Sequence, residues 1–185
     1  LTISEEVWFY SAVRYYDIFD IIDMIQLNKE HLQTILTHAQ NTYPEECCGV
    51  IFGHIDCDRK TVVEVIPTQN AWNRETAGDF ADDNINNRPI DDINHSKKRR
   101  YTIAPQEMLQ LQKSARERNV NIIGIFHSHP DYPAVPSEFD RNYAWQEYSY
   151  IIVSVQKGQA GDVNSWVLND NSQFQQEEIR QLVDS

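Results

Sequence analysis

Cysteine is scarce: three occur in 185 residues, with Cys47 and Cys48 adjacent and Cys57 alone in a polar turn. No Cys-x-x-Cys pair exists, which excludes a zinc site built from several thiolates, and a disulfide framework is excluded with it. The pattern suits a reducing, cytoplasmic setting. Long apolar runs are missing too. Nothing approaches the ~20 residues that span a bilayer, and no basic start with an apolar middle marks a signal peptide, so no membrane partner is expected. Net positive charge is the third absence. Lys and Arg number 16 against 28 Asp and Glu, leaving a net charge of −12. Such a surface repels phosphate backbones and argues against nucleic acid as a partner. No segment of the chain repeats.

What is present reads as one ordinary domain, 41% hydrophobic and 24% charged, long enough to bury a core. Residues 1–23 differ from the rest of the chain: Trp8, Phe9, Tyr10, Tyr15, Tyr16 and Phe19 sit among five acids and one arginine. They read as an N-terminal extension of uncertain role, a short helix packed on the body being one form for it, with the domain proper over 24–185. Asn28 is placed to cap a helix carrying Leu32, Ile35, Leu36 and Ala39 at helical spacing, and Pro44 stops it. His31 and His38 share a face of that helix and read as a surface stripe.

Cys47 to Ile55 and Thr61 to Ile66 predict the strands of a hairpin about a polar turn. Residues 71–100 are polar, with six acids and six basic residues. That is too long for a plain connection and predicts a mobile or functional insertion. At its end Lys97-Lys98-Arg99-Arg100 reads as a solvated loop, with a docking patch as the alternative. Pro105 opens a helix through Met108, Leu111 and Ala115. A buried strand over 121–126, a helix over 137–148 and strands over 150–155 and 165–168 follow. Helices alternating with strands predict an α/β sandwich around one sheet.

The strand ending at Phe126 runs directly into His127-Ser128-His129-Pro130. Residues two apart on an extended chain point to the same side, so His127 and His129 can aim both imidazoles at one metal ion. A zinc hydrolase needs three protein ligands and an open position, and Asp140 can supply the third if the loop 130–136 folds back. Pro130, Pro133 and Pro136 limit the freedom of that loop. Plainer readings stand beside these. Two histidines at a strand end can be ordinary surface residues, and Ser137-x-x-Asp140 is also a helix capping pattern; one aspartate can serve both roles. Other zinc hydrolases fit less well. His-Glu-x-x-His is absent, as is the deaminase signature. No histidine follows His129, whereas a metallo-β-lactamase or an amidohydrolase barrel needs more.

His127-x-His129, seven residues, Ser137, two residues and Asp140 together match the motif of the JAMM (MPN+) zinc metalloproteases without a gap. Glu46-Cys47-Cys48-Gly49 fits the upstream Glu-x-Cys-Gly segment of the same family, and the similarity extends over roughly residues 25–180, leaving out 71–100. The chain resembles the short stand-alone prokaryotic members. The resemblance implies an MPN-type sandwich, a mixed, mostly antiparallel sheet flanked by helices. It implies one zinc per chain held by His127, His129 and Asp140. It implies that Glu46 moves the proton from the attacking water to the leaving amine, and that Ser137 donates to the oxyanion. Glu45 competes for the role of Glu46 but lies one residue off the frame. The implied activity is peptidase or isopeptidase cleavage after the Gly-Gly tail of a ubiquitin-like or sulfur-carrier protein. A catalytically silent scaffold of the same fold and a zinc hydrolase of another amide are the alternatives. Oligomeric state is not legible.

Overall fold

The computed structural model describes residues 24–57, 59–73, 76 and 96–182. The expected N-terminal extension 1–23 lies outside them, as does most of the expected insertion. The chain orders as β1 (Met24–Leu27), α1 (Lys29–Thr42), β2 (Cys48–Asp56), β3 (Arg59–Thr68), α2 (Pro105–Glu117), β4 (Asn121–Pro130), α3 (Glu138–Tyr143), β5 (Ser149–Gln156), β6 (Gln159–Leu168) and β7 (Phe174–Gln181), with a 3-10 turn at Ser96–Lys98. Among the described residues no helix is long and apolar enough to cross a membrane.

Asn28 caps α1 as expected: its Oδ1 accepts from His31 N at 2.8 Å, and His31 Nδ1 accepts in turn from Asn28 N at 3.4 Å. The helix buries Ile35 and Ala39 and ends before Tyr43, whose backbone is extended ahead of Pro44 because a following proline disfavours the helical region. The histidine stripe is not idle. His31 Nε2 reaches Val63 O and His38 Nε2 reaches Thr68 O, both at 3.2 Å. An oxygen can only accept, so both nitrogens donate, and α1 thereby satisfies carbonyls of β3.

The sheet is mixed. β2 pairs antiparallel with β3 and β4, β4 runs parallel to β5, and β5, β6 and β7 form an antiparallel meander. Alternate residues of β2 serve two cores. Ile51 joins Ile25, Ile35, Ile123 and Phe126 on the α1 side, while Val50 and Phe52 join Ile103 and Ala115 on the α2 side. The α/β class and a mixed sheet flanked by helices are therefore observed. An open sandwich is not: the order β1-β3-β2-β4-β5-β6-β7 closes on itself as a barrel. The reason is β1, whose four residues lie between β3 and β7 and pair in parallel with both.

Several element lengths also differ from expectation: β3 and β4 each run longer, over Arg59–Thr68 and Asn121–Pro130. β6 begins at Gln159 because Lys157 and Gly158, both at positive φ (52° and 82°), make a tight turn that pairs Gln156 with Gln159. α3 stops at Tyr143 and does not reach Tyr148. Ala144 is extended, and Trp145 N donates to Tyr150 Oη at 2.6 Å, which ties the segment to β5.

Candidate metal centre

The end of β4 carries the first two groups. His127 pairs with Cys48 of β2 and Ile152 of β5, and His129 with Ser154 of β5, so their backbones are held by the sheet. Ser128 points the other way and its Oγ accepts from Cys47 N at 2.9 Å, which pins the start of β2 to the end of β4. The two Nε2 atoms of His127 and His129 lie 3.1 Å apart. His129 Nδ1 is 2.8 Å from Pro133 O and must be the donor there, which leaves its Nε2 as a bare lone pair. The ring of His127 is fully buried, stacks on Tyr101 at 4.5 Å, and leaves Nδ1 without a partner.

Asp140 arrives from the first turn of α3. Ser137 caps that helix: its Oγ accepts from Asp140 N at 3.2 Å, while Asp140 Oδ2 accepts from Ser137 N at 2.6 Å. The capping reading of Ser137-x-x-Asp140 and the convergence on the histidines are both present. Asp140 Oδ1 is 3.5 Å from His127 Nε2 and Oδ2 is 3.7 Å from His129 Nε2. One donor atom from each of the three side chains falls within 4.8 Å of the others.

This donor set fits a metal ion. Ligands at ~2.0–2.2 Å from a tetrahedral zinc are themselves about 3.3–3.6 Å apart; the two Nε2 atoms lie 3.1 Å apart, and each has one or other Asp140 oxygen within 3.7 Å. The electrostatics agree. Burial pushes the His127 imidazole down to about 4, an effect Asp140 opposes and His129 reinforces, so the ring is neutral as a ligand must be. Burial works against the charged form of Asp140, yet His127, His129 and Ser137 hold its carboxyl well below the usual carboxylate range.

Glu46 is buried just ahead of β2 and lines the same cavity, of about 480 Å³, as His129 and Ser137. Burial and then the charge of Asp140 push its carboxyl well above the usual value, with Arg100 pulling the other way. Its backbone is clamped from both sides: Glu46 N donates to Lys97 O at 2.8 Å, and Glu46 O accepts from Asn70 Nδ2 at 3.0 Å. Glu45 does not line the cavity. All five expected residues thus belong to one cavity or to the triad at its wall. The basic run is more than a solvated loop, since Arg99 and Arg100 also line the cavity. Tyr101, stacked on His127, had no expected role either. The sequence signal for it was that Tyr101 to Pro105 resembles the family.

The family model described as prokaryotic homologs of the JAB domain matches residues 28–169. A desampylase from Haloferax volcanii is 27% identical over 135 residues, covering 70% of this chain and 80% of that protein. A desampylase from Pyrococcus furiosus is 28% identical over 79 residues, covering 43% of this chain and 54% of that protein. A solution structure of a protein from Desulfitobacterium hafniense is 27% identical with a TM-score of 0.66, covering 87% of this chain and 94% of that one. One from Salinibacter ruber is 26% identical with a TM-score of 0.59, covering 86% and 92%.

Proposed function

The chain belongs to the family of prokaryotic homologs of the JAB domain, and from that premise we propose that it is a zinc-dependent peptidase or isopeptidase. One observation carries the reading: two imidazole nitrogens and a carboxylate converge beside a cavity that also holds a buried glutamate with a raised pKa. A zinc ion held by His127, His129 and Asp140 supplies Lewis acidity, which activates water and polarises a carbonyl.

The chain's own groups do the rest. Glu46 accepts the proton of the attacking water as the oxygen adds to the carbonyl carbon. It returns a proton to the nitrogen as the C–N bond breaks, so that an amine and a carboxylate leave. A carboxyl whose pKa is raised by burial suits both directions of transfer, and such a group typically contributes about 10²–10⁴-fold. Ser137 lines the cavity and its Oγ accepts from the Asp140 amide; its hydroxyl donates to the oxyanion. The relatives named desampylase and the family resemblance support a substrate ending in a narrow Gly-Gly tail, on a ubiquitin-like or sulfur-carrier protein. Glycine allows the close backbone approach that a recessed metal requires.

The test is metal analysis combined with cleavage of a Gly-Gly-linked fusion. Glu46→Gln is expected to retain about one zinc per chain while turnover falls at least about a hundredfold, and Glu45→Gln to be far milder. Full zinc in the double variant His127→Ala/His129→Ala, or the reverse ranking of the two glutamates, overturns the assignment. A zinc-replete protein that cleaves no amide would mark the silent scaffold.

A further inference from the structure

The basic run is fastened to Glu46. Asn70 Nδ2 donates both to Glu46 O at 3.0 Å and to Arg100 O at 2.9 Å, and Lys97 O takes the Glu46 amide. The main chains of the glutamate and the arginine are therefore held at fixed separation by one side-chain amide. Arg99 and Arg100 both line the cavity. Arg99 lies 4.9 Å over the Tyr132 ring and donates to that residue's hydroxyl; Arg100 lies 4.4 Å over the Phe139 ring and donates to Arg99 O at 2.6 Å.

Among the described residues neither arginine forms an ion pair with a carboxylate. A guanidinium has five N–H donors in a planar fork, so each keeps donors to spare. Stacking on an aromatic face fixes the plane of the fork and lowers the entropy lost on binding a carboxylate. In a chain of net charge −12, two arginines lining one cleft, with Glu46 as the carboxyl group that feels Arg100, are a local reversal of sign, which attracts an anion into the cleft.

We propose that Arg99 and Arg100 form a carboxylate-binding subsite on the leaving-amine side of the cleft, so that the preferred substrate carries an anionic group on the component released as the amine. The side follows from Glu46. If it delivers the proton to the departing nitrogen, the amine component lies against it, and Arg100 is the cation tied to it. This rests on the proposed role of Glu46. The carboxylate has two possible sources, a side chain next to the bond or the α-carboxylate of a single released residue. Both present the same group to the arginines.

The experiment uses three Gly-Gly-linked compounds: one ending in alanine with a free carboxylate, one in glutamate amide, and one in alanine amide. Binding is measured on zinc-loaded Glu46→Gln protein by calorimetry, and cleavage on wild type. Partly exposed ion pairs contribute up to about fivefold each, so the preferred anionic compound is expected to bind about tenfold tighter than alanine amide. Which of the two gains identifies the source. In Arg99→Gln/Arg100→Gln the advantage should fall to about one, and in Arg99→Glu the glutamate amide should bind more weakly than the alanine amide. Equal binding of all three compounds, or an advantage that survives the double substitution, overturns the subsite. Charge-selective binding without cleavage by wild type leaves the subsite standing and removes the reaction instead.

Discussion

Gly49 is the residue on which the geometry of the site is most exposed to a small change. A Cβ built there would lie 2.2 Å and 2.4 Å from Phe126 Cε1 and Cζ and 2.5 Å from Ile66 O. Ordinary van der Waals contact begins near 3.4 Å, so the shortfall is about 1 Å on both sides. The Phe126 ring is fully buried and meets His38 edge-on at 6.0 Å; the other obstacle is backbone of β3. Gly49→Ala must therefore displace a core ring or part β2 from β3. Overpacking of this kind costs about 1–3 kcal/mol, and with backbone on one side the upper end applies. For a chain of this size each kcal/mol moves Tm by about 2–4 °C, which gives a fall of roughly 6–12 °C. Phe126 immediately precedes His127, so zinc affinity should drop as well, although residue 49 touches none of the triad. Thermal melts with and without chelator, together with zinc content, read both effects. Gly161→Ala is the control: its nearest obstacle is Ser154 O at 3.8 Å, and it should be neutral or stabilising by up to about 1 kcal/mol. A Gly49→Ala protein that melts within about 2 °C of wild type would refute the packing argument.

In metal-free protein, His127 titrates near 4 and not 6.5, chiefly through burial. Below pH 6.5 the unfolded chain takes up a proton that the folded chain refuses, so the contribution of His127 to stability should fall by about 3 kcal/mol between pH 6.5 and 4. The raised Glu46 carboxyl works the other way, and the depressed Asp140 carboxyl adds its own loss below about pH 4. Urea midpoints of wild type and His127→Phe across that window isolate the histidine's share, and profiles of equal slope would defeat the idea. Ser128→Ala removes the acceptor of the buried Cys47 amide and should cost about 1–3 kcal/mol, lowering turnover through the adjoining Glu46. An unchanged denaturation midpoint would show that water replaces the hydroxyl.

The parts of the site that local pattern controls were legible. Two residues on one strand face need only the period of the strand, which is why His127 and His129 converge. The cap at Ser137 is a four-residue pattern, and it is also what turns Asp140 towards the imidazoles. What escaped depends on partners far apart in sequence. β1 is four residues long and has no period to detect, and it becomes a strand only because β3 and β7 present edges to it. The shortened α3 is a local exception: Tyr150 Oη, five residues on, takes Trp145 N. The basic run announced charge but not position, and its place beside Glu46 is set by Asn70, 24 residues from one partner and 30 from the other.

The closure of the ring has a consequence for the order of folding. The seam joins Met24–Leu27 to Phe174–Gln181, the first and last described strands. During synthesis β2, β3, β4 and β5 can assemble, and with them His127, His129 and Asp140, while β7 is still unmade. Through that interval β1 and β6 each keep a bare edge, the form of backbone that templates pairing with another chain. Late closure of non-local pairs is also slow. Solubility during expression should therefore track how fast the C-terminal strand emerges and docks. Substitutions in 174–181 that leave His127, His129 and Asp140 untouched should act on yield before they act on chemistry.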